Sequence, residues 1–167
     1  MITGGDGAFC FFDNNDNLLM TSTYYNAWYF INTDTFEYGY ENNNSGVFIN
    51  PADYDSNNNT LYANKVRFNG TQSNRIIQIN EDAEISTINL NTNTNVYFSS
   101  VKVSPFSNNN ERSLFLGTQS GKLYKIDDIG NDNTVTDIGS NNATSKKTLV
   151  VFSVQLLSSP PITPPIA

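Results

Sequence analysis

The sequence predicts an all-β fold of repeated antiparallel sheets, and three observations support this prediction. Aromatic residues are frequent, with 11 Phe and 9 Tyr among 167 residues, and such side chains favour strands. Asparagine occurs in runs between apolar segments, at 42–44, 57–59 and 108–110, and asparagine suits tight turns. Similar strand patterns also recur along the chain at a nearly constant spacing, which is typical of repeat architectures.

The clearest repeated element is a pair of strands around a turn that contains Thr-Gln-Ser. It occurs as LYANKVRFNGTQSNRIIQIN at 61–80, as LFLGTQSGKLYKID at 114–127 and, in weaker form, at 16–34. The second strands end at equivalent isoleucines that are 48 and 47 residues apart, namely Ile31, Ile79 and Ile126. A further strand precedes each pair, as AFCFFD, GVFINP and SVKVSP. Each unit therefore has three strands and room for a fourth.

A unit of about 47 residues with three or four strands matches a β-propeller blade. We predict about 3 to 3.5 blades, at 4–40, 41–90 and 91–130 with a partial unit at 131–157, the chain to about 150 forming the propeller part. A β-sandwich with accidental spacing is the alternative. Stacked blades bury both strand faces, which would explain continuous apolar runs such as AFCFF. In RIIQIN we expect Ile77 and Ile79 on one face and Gln78 and Asn80 on the other.

The number of predicted blades is too small for a closed ring, since propellers typically have 4–8. An open stack would leave aromatic blade faces exposed, and exposed apolar surface favours association. We therefore expect either a homo-oligomer, most simply a dimer of half-propellers, or a missing remainder of the propeller. The Pro-rich segment 158–167 is predicted to be an extended tail, because proline cannot donate to a strand ladder.

Composition limits the classes of function. The net charge of −7 and the lack of a basic stripe argue against nucleic acid as a partner. There is no histidine, which removes the commonest general base and metal ligand. We expect no metal and no cofactor. The longest apolar run, TLVVFSVQLL, is too short to span a bilayer, and the start as it stands is not a signal peptide. The single cysteine, Cys10, is predicted to be a small buried residue between two phenylalanines.

Two segments carry a family resemblance. INPADYDSNNNTLYAN and VSPFSNNNERSLFLGTQSGKLYKID resemble blades of the BNR/sortilin-like propeller superfamily, and GGDGAFCFFD is similar to the opening of such a blade. The superfamily includes xyloglucan-active glycoside hydrolases and many secreted proteins of Bacteroidetes. The resemblance covers about residues 4–128 and implies a bacterial protein that is secreted or on the cell surface. The Asp-box, Ser-x-Asp-x-Gly-x-Thr-Trp, is absent.

Few residues suggest chemistry. Asp6, in a Gly-rich loop, could contact a sugar hydroxyl or act as a catalytic acid, although a tight turn explains it as well. Glycosidases need two carboxylates at a set separation, and the sequence does not select a pair. The segments at 13–17 and 53–59 are rich in Asp and Asn but lack the EF-hand pattern, so turns are the simpler interpretation. The aromatic residues Tyr25, Trp28 and Tyr29, with Tyr24 and Phe30, could form a sugar-stacking platform or pack between blades.

Two hypotheses of function follow. The first is a non-enzymatic binding or scaffold module, part of a bacterial secreted or surface protein, with a protein or glycan ligand. The second is a fragment of a carbohydrate-active glycoside hydrolase that uses carboxylate chemistry. Hydrolysis of oligosaccharides would distinguish the two.

Overall fold

A computed structural model describes residues 7–13, 17–67, 74–90, 92, 98–107 and 111–139 of the chain. Within these residues the backbone forms twelve strands and no helix, and the prediction of an all-β fold is confirmed. The strands form three separate four-stranded antiparallel sheets, each a simple up-and-down meander. This is the strand order of a propeller blade. No helical segment with the length and hydrophobicity needed to cross a membrane occurs in the described part of the chain.

The first sheet consists of β1 (Cys10–Asp13), β2 (Leu18–Ser22), β3 (Ala27–Asn32) and β4 (Tyr38–Asn42). Aromatic and β-branched residues dominate its central strands, as strand propensity requires. The turn after β3 is fixed by the side chain of Asn32, whose Oδ1 accepts hydrogen bonds from the N–H groups of Asp34 and Thr35, both at 2.9 Å.

The second sheet consists of β5 (Ala52–Asp55), β6 (Thr60–Asn64), β7 (Arg75–Ile79) and β8 (Ile85–Asn89). All five residues of β6 are buried, because the first and third sheets cover its two faces. The expected alternation in β7 is confirmed for its apolar residues. Ile77 and Ile79 pack toward the first sheet, whereas Ile76 packs toward the third.

The third sheet consists of β9 (Phe98–Val103), β10 (Leu114–Thr118), β11 (Leu123–Asp127) and β12 (Thr134–Asp137). Strand β12 pairs along its whole length with β11. The third unit therefore continues to Asp137, past the predicted boundary at 130, and β12 does not belong to a partial fourth unit. The predicted segment at 140–157 and the Pro-rich tail lie outside the described residues.

Two apolar layers hold the three sheets together. Between the first and second sheets lie Met20, Trp28, Phe30, Leu61 and Ile79, with their neighbours. The layer between the second and third sheets contains Tyr62, Ile76, Phe98, Leu114 and Ile126, among others. Each layer is the buried contact of one sheet face on the next, so the sheets form a continuous stack in chain order.

The N-terminal strand differs from its prediction. The continuous apolar run AFCFF indicated burial on both faces, but the structure covers only one face of β1. Phe9 and Phe11 pack toward the second sheet, and the alternation of the strand turns Cys10 and Phe12 the other way, where both are exposed. The prediction that Cys10 is buried is therefore wrong, since no described residue covers that face.

Because each sheet is a meander, the loops fall at two opposite ends of the stack. We call the end with the β2–β3, β4–β5, β6–β7, β8–β9 and β10–β11 connections the upper end, and the other the lower end. Turn chemistry is supplied largely by asparagine. Among the described residues, five of the nine non-glycine positions with positive φ are asparagines: Asn17, Asn44, Asn59, Asn74 and Asn133.

Candidate binding surface

Three exposed aromatic side chains form a cluster at the upper end of the first sheet, which we call the aromatic platform: Tyr24, Tyr25 and Phe48. The rings of Tyr24 and Phe48 are parallel, with centroids 6.1 Å apart. Tyr25 stands edge-on to both, with centroid distances of 5.7 and 6.2 Å. Tyr24 is 47% and Phe48 is 50% exposed. The platform thus presents flat aromatic surface to solvent.

The backbone joins the two loops of the platform. The N–H of Tyr25 donates to the carbonyl of Phe48 at 3.0 Å, which links the β2–β3 turn to the β4–β5 connection. Tyr25 also has φ of 58°, a conformation that is uncommon for an aromatic residue and is found where surrounding structure enforces it. The enforcing structure lies directly below, since Tyr25 precedes the buried Asn26.

Three buried asparagines, Asn26, Asn50 and Asn64, lie beneath the platform and bond to one another. Asn26 Nδ2 donates to Ser45 Oγ and to the carbonyl of Asn64, both at 2.9 Å. Asn50 Nδ2 donates to Asn26 Oδ1 at 2.6 Å and to the carbonyl of Asn64 at 2.8 Å. Asn64 Nδ2 donates to Asn50 Oδ1 at 3.0 Å and to the carbonyl of Val66 at 2.8 Å.

The amide oxygens of the same three asparagines accept the remaining bonds, from the indole N–H of Trp28 and the backbone N–H groups of Val47, Val66 and Phe98. Each buried amide thereby uses both hydrogens and both acceptor sites, which is its full capacity. A network satisfied to this degree favours one arrangement of its members, because any partial version leaves costly unpaired groups. Its partners come from all three sheets, so it fixes the platform to the whole stack.

Gly46 has a specific role in this network. It has φ of 74°, and an ideal Cβ at this position would lie 2.7 Å from Asn50 Nδ2 and closer still to Asn50 Oδ1. Only glycine leaves room for the Asn50 amide and also adopts this dihedral without strain.

Arg67 borders the platform from the second sheet. Its guanidinium donates to the carbonyl of Asn44, and its Cζ lies 6.0 Å from the centroid of the Tyr25 ring, within the range of a cation–π contact. On another side, Ile49 follows Phe48 and leads into a cleft of about 300 Å³. This cleft lies between the starts of β1 and β5 and the strand β9, and its lining includes Phe9, Pro51 and Ser100.

Charge is distributed unequally between the two ends of the stack. The five upper connections contain no Asp or Glu in the sequence, and they carry Lys65, Arg67 and Lys122. The lower connections contain nine acids and a single base, Arg112. The acids of the connections are therefore concentrated at the lower end, away from the platform.

The structure separates the aromatic residues singled out in the sequence. Tyr25 belongs to the platform. Trp28 is 0% exposed, so its ring packs between sheets and has no face available to a ligand. Tyr29 lies on the opposite face of the first sheet, against Tyr40 at 4.7 Å. Asp6 lies outside the described residues.

The sequence did not identify Phe48 as a platform residue or Arg67 as a neighbour of the platform. Phe48 is 23 residues and Arg67 is 42 residues from Tyr25 in the chain. Only the close approach of three connections brings them together. Phe48 lies in GVFINP, which the sequence predicts as a strand; in the structure residues 46–51 belong to the β4–β5 connection and the strand begins at Ala52.

The buried carboxylates near the sheets make structural bonds. Asp13 accepts from the hydroxyl of Tyr54 at 2.9 Å. Asp53 pairs with Lys102 at 2.9 Å and accepts from the N–H of Val103. Asp55 accepts from the N–H of Asn57 at 3.1 Å, so the 53–59 segment contains an ordinary turn. Over the described ranges, no group of three or more potential metal-ligating side chains is present.

Two titratable groups elsewhere are perturbed. Burial raises the pKa of Tyr62 to about 12, against the opposing effect of Arg112, whose Nη1 donates to the Tyr62 hydroxyl at 3.2 Å. Hydrogen bonds from Lys125 and then Ser113 hold the pKa of Asp127 below its usual range. Neither group adjoins the platform, and both are explained by packing and pairing at the lower part of the second and third sheets.

Comparison with known proteins gives no assignment, since no protein-family model and no curated protein matches the chain.

Proposed function

We propose that the chain is a non-enzymatic glycan-binding module of the β-propeller type, part of a secreted or surface protein of a bacterium. The observation that carries the proposal is the aromatic platform, in which the side chains of Tyr24, Tyr25 and Phe48 are exposed and contact one another. Contiguous exposed aromatic surface on a stable fold is characteristic of binding sites.

The chemistry of the platform suits a sugar ring. One face of a pyranose presents C–H groups that pack on an aromatic face, while its hydroxyls need hydrogen-bonding partners at the rim. The parallel rings of Tyr24 and Phe48 offer such faces. Exposed Asn42 and Asn44 and the guanidinium of Arg67 supply amide and cationic groups nearby.

Rigidity also supports this proposal. A ligand that binds a preformed surface does not have to order it, so less binding free energy is lost. The amide network beneath the platform provides this preorganisation, because Asn26 and Asn50 directly follow the platform loops and are fully hydrogen-bonded.

The experiment is isothermal titration calorimetry against neutral β-glucan and xyloglucan oligosaccharides and against an acidic oligogalacturonate. Tyr24→Ala and Phe48→Ala should each weaken binding about fivefold, since an aromatic contact contributes on the order of 1 kcal/mol. Phe106→Ala is the matched control, because Phe106 is also exposed but lies at the lower end; it should bind as the wild type does.

The outcomes separate the possibilities. Absence of glycan binding, or equal losses in the platform variants and in Phe106→Ala, would overturn the proposal. Products with new reducing ends would indicate a glycoside hydrolase instead, and the site would then have to include carboxylates that the platform lacks.

A further inference from the structure

Among the described residues, nothing packs on one face of the first sheet, and the residues of that face match positions that are buried in the other two sheets. Opposite residues across an antiparallel sheet point to the same side, so each register row identifies one face. In the second sheet the row Tyr54, Leu61, Ile79, Ile85 packs toward the first sheet. In the third sheet the row Val103, Leu114, Ile126, Val135 packs toward the second.

The equivalent row of the first sheet is Phe12, Leu19, Ile31, Tyr38. A second row on the same side contains Cys10, Thr21, Tyr29 and Tyr40. We call this side the leading face. In the other sheets the leading face lies in an interface. Here the edge residues Phe12 and Tyr38 are 54% and 69% exposed, whereas Ile31 between them is 2% exposed. The matching strand registers of the three sheets therefore indicate that this face, like its equivalents in the second and third sheets, contacts a preceding sheet.

The other end of the stack has the complementary side, which we call the trailing face of the third sheet. Its central row is Lys102, Phe115, Lys125, Thr136. In the first sheet the equivalent row packs on the second sheet through Met20 and Phe30. In the second sheet the equivalent row packs on the third sheet through Tyr62. At the centre of the row in the third sheet Phe115 lies beside Lys125. Thr136 is at one edge, and at the other is Lys102, whose Nζ pairs with Asp53 of the second sheet. Tyrosine rings with hydroxyl tips, as in Tyr38 and Tyr40, fit such a surface.

We propose that two copies of the chain close a ring of six sheets, with the leading face of each first sheet on the trailing face of the partner's third sheet. This inference is independent of the proposed glycan binding. Contacts between two different faces generate closed rings when the rotation allows it, and six sheets fall within the usual range of 4–8 for propellers. The partner is a second copy because the stack already repeats this contact twice, between chemically similar sheets.

The test measures the molar mass of the full chain by light scattering after size exclusion. The wild type should be a dimer. Tyr38→Asp and Tyr40→Asp, each at an exposed position, should produce monomers that keep the wild-type circular dichroism spectrum. Phe106→Asp introduces the same charge at an exposed aromatic residue of the lower end and should remain dimeric.

Thr136→Arg tests the direction of the contact, since Thr136 is exposed on the trailing face. It should also yield monomers. A dimer that Tyr40→Asp dissociates and Thr136→Arg does not would overturn the proposed arrangement in favour of two leading faces in contact. A wild type that stays monomeric at high concentration would overturn the proposal altogether.

Cys10 supplies a second measurement. It is exposed on the leading face of the single chain, whereas its register equivalents Ala52 and Val101 are 5% and 4% exposed. In the ring, Cys10 should react with a thiol reagent at least tenfold more slowly than in Tyr40→Asp. Equal rates in the two proteins would contradict coverage of this face.

Discussion

Substitution of Asn64 by alanine removes the centre of the buried amide network without touching the platform itself. The side chain makes four hydrogen bonds: Nδ2 donates to Asn50 Oδ1 and to the Val66 carbonyl, and Oδ1 accepts from the N–H groups of Val66 and Phe98. Two backbone N–H groups would lose their partner in a site that is completely buried. Each unsatisfied buried group costs about 1–3 kcal/mol, so we expect a loss of roughly 2–6 kcal/mol in the free energy of unfolding.

Urea unfolding followed by intrinsic fluorescence measures this loss, since Trp28 bonds to the same network and reports on it. The matched control is Asn89→Ala, which removes the same chemical group from an exposed strand position and should change stability by less than about 0.5 kcal/mol. A loss below about 1 kcal/mol for Asn64→Ala, or one equal to that of the control, would refute the argument that this network holds the three sheets together.

Three further predictions concern other parts of the molecule. Gly46→Ala should destabilise the protein by more than about 2 kcal/mol in the same urea assay, since the new Cβ overlaps the Asn50 amide and alanine is strained at φ of 74°; a neutral result would contradict the geometry of the loop. The pKa of Tyr62 is raised to about 12 from 10.0. The contribution of the neutral Tyr62 side chain to the free energy of unfolding is therefore fully present below pH 10 and is lost between pH 10 and 12. Wild-type stability should therefore fall by about 3 kcal/mol across that window, and Tyr62→Phe should show a flatter profile. The pKa of Asp127 is lowered. The stability that its ionised carboxylate contributes is therefore present at a pH above the ordinary pKa of a carboxyl group and is lost as the pH falls. Lys125→Gln should raise that pKa in a carboxyl NMR titration, with little effect on stability because the pair is largely exposed; an unchanged pKa would contradict the assigned cause.

Much of the architecture could be predicted from the sequence because strand signals are local. The isoleucines at 31, 79 and 126 are the last or next-to-last residues of β3, β7 and β11, the third strand of each sheet. The asparagine runs at 42–44 and 57–59 lie at a strand end and in a turn, where Asn44 and Asn59 adopt positive φ. One predicted strand, GVFINP, is wrong, since residues 46–51 belong to the β4–β5 connection and the strand begins at Ala52. The other failures concern burial. A run such as AFCFF indicates an apolar strand, but whether both its faces are covered depends on which sheet stands beside it.

The surface assignments show the same limit. Tyr25, Trp28 and Tyr29 are close in the chain and alike in chemistry, yet one is on the platform, one is in the core and one is on the leading face. Alternation along β3 separates Trp28 from Tyr29, and the sequence does not say which side the next sheet covers. Phe48 belongs to the platform, and Arg67 borders it, only because three connections between different strands lie close together in the structure.

By itself the sequence determined the all-β character and the period of the units, since both follow from the order of residues within single units. The tertiary structure alone decided which polar groups became the buried amide network, which aromatic residues form a surface and which face of the first sheet is uncovered. These properties depend on contacts between units, where residues distant in the chain meet and where burial, not residue type, fixes the energetic role of a side chain.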